Sequence, residues 1–261
     1  MPAIDLTADL FFMAALRAGA DSAGTRLLPL TRLREPLAPH DRFSQRVLLA
    51  LQGLGYIEPE LSLSQAEDWL YSRDWLSHGF ESVSWRIVRP PSLSKIALQS
   101  WLDEPECNLS VLETWVAIWE DLALAEVAAY TRAALARSGY NPDWADGANA
   151  ALAAALRVFS AQDVTYLVHI ALRSLALKHQ RAATAVGKLG QSFCNLIRYY
   201  VQRAEAERWT IRSSPWLPDG PRSAITTLFA DVVTGLGERY YSDRPSLEAV
   251  AQALADRRTL H

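Results

Sequence analysis

Residues 38–60 read APHDRFSQRVLLALQGLGYIEPE, and the organisation of the chain is best approached from there. Asp41 can cap a helix on which Phe43, Val47, Ala50, Leu51 and Leu54 share one face. Arg42, Gln45, Arg46, Leu49 and Gln52 lie on or beside the opposite face. Gly55 stands where a left-handed residue closes a helix, and Tyr56-Ile57 opens an extended segment.

The neighbouring stretches extend this pattern. Upstream, Asp9 to Ala18 has helical spacing behind Thr7 as N-cap, and Gly19 with the GADSAG stretch ends it. A short piece from Leu28 to Arg34 is closed by Pro36. Downstream, Val83, Trp85 and Ile87 alternate with polar residues, as in a half-buried strand. Between them Leu63 to Ser77 reads as a further helix, capped by Ser64 with Glu67 three residues on, and made acidic by Glu67, Asp68 and Asp74.

The run Arg-Phe-Ser-Gln-Arg-Val-Leu-Leu-Ala-Leu followed by Gly-Leu-Gly-Tyr-Ile resembles the recognition helix and wing of the winged-helix (helix-turn-helix) superfamily. The resemblance covers about the first 90 residues. It implies that Leu30 to Arg34 is the preceding helix of the helix-turn-helix and that Val83 to Val88 is the return strand of the wing, paired near Tyr56-Ile57. It further implies DNA binding, with Arg32, Arg34, Arg42, Gln45 and Arg46 at the nucleic acid, Val47, Leu51 and Leu54 buried, and Arg42, Gln45 and Arg46 exposed. The acidic insertion departs from the usual tight hairpin. It would be repelled by a phosphate backbone, which favours protein docking at that point.

Arg89-Pro90-Pro91-Ser92 marks the expected boundary between a winged-helix-like domain, 1–90 with its insertion at 63–78, and a helical domain, 91–261. The second part reads as helices over Ser94–Trp101, a capping box Ser110…Glu113 leading a helix to about Arg137, and an Ala-rich helix from Asp143 or Asp146 to about Phe159. Further helices run from Ser160 and Asp163 to about Ala185, from Gln191 to Trp209, from Arg222 to Tyr240 and from Ser246 to Arg257. The fold class expected is therefore mainly α, with a small β-wing and an all-helical bundle.

Composition is that of an ordinary globular chain: 261 residues, 50% apolar and 21% charged, with a net charge of −3. No run approaches the ~20 apolar residues of a membrane span, no secretory signal is legible, and Cys107 and Cys194 cannot build a disulfide framework. A cytoplasmic setting without membrane contact is the expectation. Charge alternates along the chain. Residues 26–46 carry Arg26, Arg32, Arg34, Arg42 and Arg46 against two acids, residues 58–81 and 103–146 are acidic, and residues 157–212 are basic. Such alternation suits a solvated surface, a subunit binding charged neighbours, or a nucleic-acid protein whose acidic parts face away.

Chemistry-bearing motifs are few. The five histidines lack partners at metal-ligand spacing, Gly187-Lys188-Leu189-Gly190 is not a phosphate loop, and no nucleophile elbow is present, so neither metal nor cofactor is expected. Arg173 and His179, six residues apart, resemble the Arg…His motif of HEPN ribonucleases, which implies a metal-independent ribonuclease with paired motifs meeting across a dimer. His179 would move the proton and Arg173 would hold the phosphate. An offset of six, however, separates the two by ~120° on a helix. Arg173, Arg181 and Lys188, with His169 nearby, form a basic stripe. Arg198, Arg203, Arg208 and Arg212 follow, with Tyr199, Tyr200 and Trp209 interleaved, a pattern that can grip phosphates and stack on bases. Trp115 and Trp119 read as core, and Trp216 as an exposed anchor. The expected role is a non-enzymatic subunit binding DNA or RNA, a protein partner through the acidic insertion or helical bundle, or both, with homo-oligomers an open possibility. The alternatives are the ribonuclease and a purely structural protein-interaction subunit.

Overall fold

The computed structural model of the chain describes residues 5–61, 79–103, 108–181, 189–209, 211 and 222–259. It is mainly α with one small antiparallel sheet among the described residues. Two compact units are formed, Met1–Asn108 with Pro221–Gly235, and Leu109–Gly220 with Leu236–His261.

The first unit is built around α1 (Leu6–Gly19). Asp5, rather than Thr7, caps it, its carboxylate accepting from the Ala8 N–H. Leu10, Phe12, Ala14 and Ala18 are fully buried, because α1 is covered on several sides at once. Strand β1 (Arg26–Leu27) follows, then α2 (Asp41–Gly53), β2 (Ile57–Glu60) and β3 (Ser84–Ile87). The helix expected over Leu30 to Arg34 is instead a single 3-10 turn at Leu30–Arg32, because the chain is extended at Pro29 and again at Leu33. The sheet order is β1-β3-β2, with Ile57 opposite Ile87 and Leu27 opposite Trp85. Leu27, Ile57 and Trp85 are buried, while Arg26, Glu58 and Arg86 face outward, as the period-2 pattern requires. The strand pairing expected between Val83–Val88 and Tyr56-Ile57 is present.

Several local expectations are corrected. His40, not Asp41, is the N-cap of α2, its Nδ1 accepting from the Phe43 N–H at 3.1 Å. The buried face of α2 is Phe43, Val47, Leu48 and Leu51, whereas Ala50 and Leu54 are exposed. Leu48 takes the core position because the buried arc of α2 is turned toward Ser44 and Leu48, and Leu54 falls in the turn that Gly55 (φ 73°) completes after the helix ends at Gly53. The two prolines do not mark a domain boundary. Pro91 opens α3 (Pro91–Asp103), where its missing N–H costs nothing, and α3 packs on α1 inside the first unit. Residues 221–235 also return to that unit, bringing α8 (Ala224–Thr227, continuing as a π-helical turn Leu228–Val233) against α1, with Phe229 buried. Ala224 and Ile225 N–H donate to Pro36 and Leu37 carbonyls.

The second unit is all helix among its described residues: α4 (Leu109–Arg137), α5 (Trp144–Leu156), α6 (Ala161–Arg181), α7 (Leu189–Ala206), α9 (Arg239–Ser242) and α10 (Leu247–Thr259). Ser110 lies inside α4 rather than capping it, since the helix already begins at Leu109. The helix start expected at Ser160 and Asp163 is present, and there the two residues form a capping box, each side chain bonding the other's backbone N–H. Trp115 and Trp119 are core, and the Trp119 indole donates to the Tyr240 carbonyl at 3.0 Å. Gly190 does not break α7. It lies within the first turn, where a Cβ would come within 2.9 Å of the Trp144 ring, so glycine lets α7 close on α5. The single helix expected over Arg222–Tyr240 is interrupted by Gly235 at φ 73°, after which α9 begins at Arg239. The acidic insertion 63–78, Cys107, Arg212 and Trp216 lie outside the described residues.

Candidate nucleic-acid interface

In the first unit, α2 carries the outward basic residues. Arg42 and Arg46 are exposed and Gln45 is half-buried. The Arg46 guanidinium lies 4.4 Å from the centroid of the Phe43 ring. Phe43 is itself edge-on to Phe11 of α1, so the arginine rests on a ring anchored in the core. Arg32 and Arg34 are exposed beside the 3-10 turn, but the Arg34 guanidinium donates to the Ala20 carbonyl at 2.7 Å and ties the turn to the end of α1.

The sheet behaves differently. Arg26 stands directly opposite Arg86, a like-charge pair that would destabilise the ladder alone. Glu60 pairs with Arg26 at 3.0 Å and Glu58 with Arg86, so β2 neutralises both. The described strands therefore offer little net positive charge to a phosphate, and the exposed basic residues of this unit off the sheet include Arg42 and Arg46 on α2 and Arg32 and Arg34 beside the 3-10 turn.

Behind α2 sits a buried polar cluster that the sequence pattern did not signal. Asp9 of α1 is fully buried and accepts from the Tyr56 hydroxyl at 3.1 Å, with the Arg89 guanidinium 3.4 Å from the same oxygen. Arg89 also lies over the Tyr56 ring at 4.6 Å and donates to Ser94 Oγ. Burial, reinforced by the Asp9 charge, pushes the Tyr56 phenol up to about 12. The cluster joins α1, the start of β2, the end of β3 and α3, and so fixes the frame that holds α2. Sequence separation hides it, since Asp9 and Tyr56 are 47 positions apart.

In the second unit the basic residues lie on α6 and α7. Arg173, Lys178 and His179 are exposed on α6, while the side chain of Arg181 and all of Lys188 lie outside the described residues. Of the expected stripe, only Arg173 and His169 are thus located, both exposed. Arg173 and His179 have no hydrogen bond or ion pair joining them among the described residues. Within one chain their offset on α6 keeps them apart. On α7, Arg198 donates to Asn195 Oδ1, and Arg203 donates through Nε to Glu207 at 2.8 Å. The bonds from Arg203 and Trp209 hold the Glu207 carboxyl below its usual range, and the same carboxylate raises Arg203. Tyr199 is half exposed, while the Tyr200 hydroxyl bonds Ser174 Oγ at 2.7 Å and pins α7 to α6. Sequence reading found the arginines and rings of this helix but missed Glu207 as the counter-charge.

Among the described residues, no group of three or more His, Cys, Asp or Glu side chains is arranged to hold a metal ion. No described helix is long and apolar enough to cross a membrane. Cys194 is buried, and burial raises its thiol. No protein-family model, curated protein or solved structure matches this chain.

Proposed function

We propose that the chain is a non-enzymatic binding subunit that engages nucleic acid through the outward face of α2 in a winged-helix frame, and through the exposed basic side of α6 and α7. The observation carrying this reading is the geometry of α2. Its apolar side, Phe43, Val47, Leu48 and Leu51, is buried, with Phe43 edge-on to Phe11 of α1, while Arg42 and Arg46 are exposed on a helix that packs beside a three-stranded sheet with β3 central. The pairing of β3 with β2 beside α2 is in keeping with the winged-helix resemblance, while the helix that the resemblance implies over Leu30 to Arg34 is only a 3-10 turn at Leu30–Arg32. The neutralised wing supports α2, rather than the hairpin, as the contact element.

The test is a salt titration of DNA and RNA binding by the full chain. Wild type is expected to bind with affinity falling steeply as salt rises. Arg42→Glu with Arg46→Glu should reduce the salt slope by roughly 0.9 per lost duplex phosphate contact. Wild-type protein showing no salt-dependent binding to any DNA or RNA would transfer the role to protein docking.

A further inference from the structure

Among the described residues other than glycine, Arg208 alone has a positive φ, 49°. It lies just past α7, where the Trp209 N–H donates to the Ala204 carbonyl at 2.9 Å and the Arg208 N–H to the Glu205 carbonyl at 3.2 Å. These two bonds make a Schellman ending, whose left-handed position is usually glycine because a Cβ is strained there. Glycine would close the helix with less strain, whereas arginine closes it with a cation. Backbone strain of this sort concentrates where a site requires it.

The turn swings Trp209 back along the helix. Its indole N–H donates to Glu207 at 2.7 Å, and the Arg203 guanidinium lies 5.5 Å from its ring centroid. Glu207 therefore neutralises Arg203 and holds its plane in position. One turn earlier, Tyr199 is 50% exposed, its ring set edge-on against Tyr200 at 5.1 Å. No carboxylate occurs from Leu189 to Ala204, and Asn195, Arg198 and Gln202 are exposed along the same stretch.

We infer that this end of α7 is a stacking platform for the unpaired bases of single-stranded nucleic acid. The Tyr199 ring and the Arg203 plane receive bases, Arg198 contacts phosphate, and Arg208 offsets the negative end of the helix so that a backbone can approach. The inference rests on the nucleic-acid reading above and narrows it to a single strand at this helix. An acidic peptide is the rival occupant. It would need the Arg203 charge, which Glu207 already holds, whereas a base needs only the plane.

The experiment uses the full chain, labelled oligo(dT) and a duplex of equal length, read by fluorescence anisotropy. Tyr199→Ala should weaken oligo(dT) binding about tenfold, Tyr199→Phe should restore it, and duplex binding should not change. Arg208→Gly should raise the melting temperature while weakening oligo(dT) binding and lowering its salt slope by about 0.7. If wild type binds oligo(dT) but loses it only on Arg42→Glu with Arg46→Glu, the platform falls and the α2 reading stands. If wild type binds no nucleic acid, both fall. Poly-glutamate that displaces oligo(dT) equally well from wild type and Tyr199→Ala would reassign the surface to an acidic peptide.

Discussion

Arg46 on α2 and Arg203 on α7 both hold a guanidinium over an aromatic ring, yet the two settings differ in what they leave available. Phe43 beneath Arg46 is a core residue three positions back on the same helix, so the ring is spent on packing and the arginine lies exposed above it. Trp209 beneath Arg203 is only half-buried and lies beyond the helix end, brought back by a strained turn, and Glu207 takes up the charge. One arginine presents charge and the other presents a plane. Charge acts at a distance and is screened by salt, whereas stacking requires contact and is far less sensitive to salt.

The largest effect expected is on the frame that carries α2. Phe229 is fully buried in the segment that returns to the first unit and packs on α1. Phe229→Ala should cost about 3–5 kcal/mol, as other buried phenylalanine truncations do. Chemical denaturation followed by circular dichroism measures it. Salt-sensitive binding through α2 should weaken along with the first unit, while binding that depends on Tyr199 should persist. Equal loss of both would remove the contrast between the two helices.

Next in size is the direct contrast. Two charge-assisted contacts of ~1.5 kcal/mol each make Arg42→Glu with Arg46→Glu worth roughly a hundredfold in affinity at low salt. That loss should shrink as salt is raised, because the interaction it removes is itself screened. The loss caused by Tyr199→Ala should stay nearly constant over the same range. Parallel salt curves for the two variants would show that α2 and α7 use one chemistry, not two.

How much of this was legible depended on whether the signal was local. The turn at Gly55, the alternation at Val83 and Trp85, and the helix start at Ser160 and Asp163 are set by residues within a few positions of one another, and each is formed as its pattern implies. The face of α2 differs at Leu48, Ala50 and Leu54, because the buried arc is turned toward Ser44 and Leu48, away from the Ala50 and Leu54 side. The caps at Asp5 and His40 were missed in favour of Thr7 and Asp41, neighbours with equally suitable side chains. Nothing local marks residues 221–235 as part of the first unit, since their partners on α1 and at Pro36 lie some two hundred positions away in the chain. Arg208 was readable as a basic residue but not as a left-handed one, for Glu-Arg-Trp carries no glycine to announce it. Candidate arginines and the rings between them could therefore be named from sequence, while the counter-charge at Glu207 and the left-handed turn could not.

A smaller effect concerns the cluster behind α2 and appears only at high pH. The Tyr56 phenol titrates near 10 when exposed and at about 12 in the folded chain. Its folded value is raised, so the stability it contributes is fully present below pH 10 and is lost as pH rises towards 12. Wild-type stability should fall across that window. Tyr56→Phe, which cannot ionise, should lose some stability at neutral pH through the broken bond to Asp9 but show a flatter decline above pH 10. Identical slopes in the two proteins would mean that Tyr56 ionises freely and does not lock the frame of α2.

The smallest effect expected is none, and it concerns Arg173 and His179. Both are exposed on α6, on the same side of the question as α7, since a basic surface that binds RNA invites the idea that it also cuts. Cleavage of this kind needs a proton carrier within ~3 Å of the 2′-hydroxyl and a cation on the same phosphate. On one helix an offset of six turns the two side chains ~120° apart. A second chain would have to supply the missing arginine. Metal-free wild type incubated with single-stranded RNA should therefore leave it intact, and His179→Ala and Arg173→Ala should behave the same. Arg173→Ala should cost only a small, salt-dependent share of binding, as a lone phosphate contact does. Cleavage by wild type that both substitutions abolish, with folding unchanged, would make α6 a catalytic helix and reduce the planes of α7 to a means of presenting its substrate.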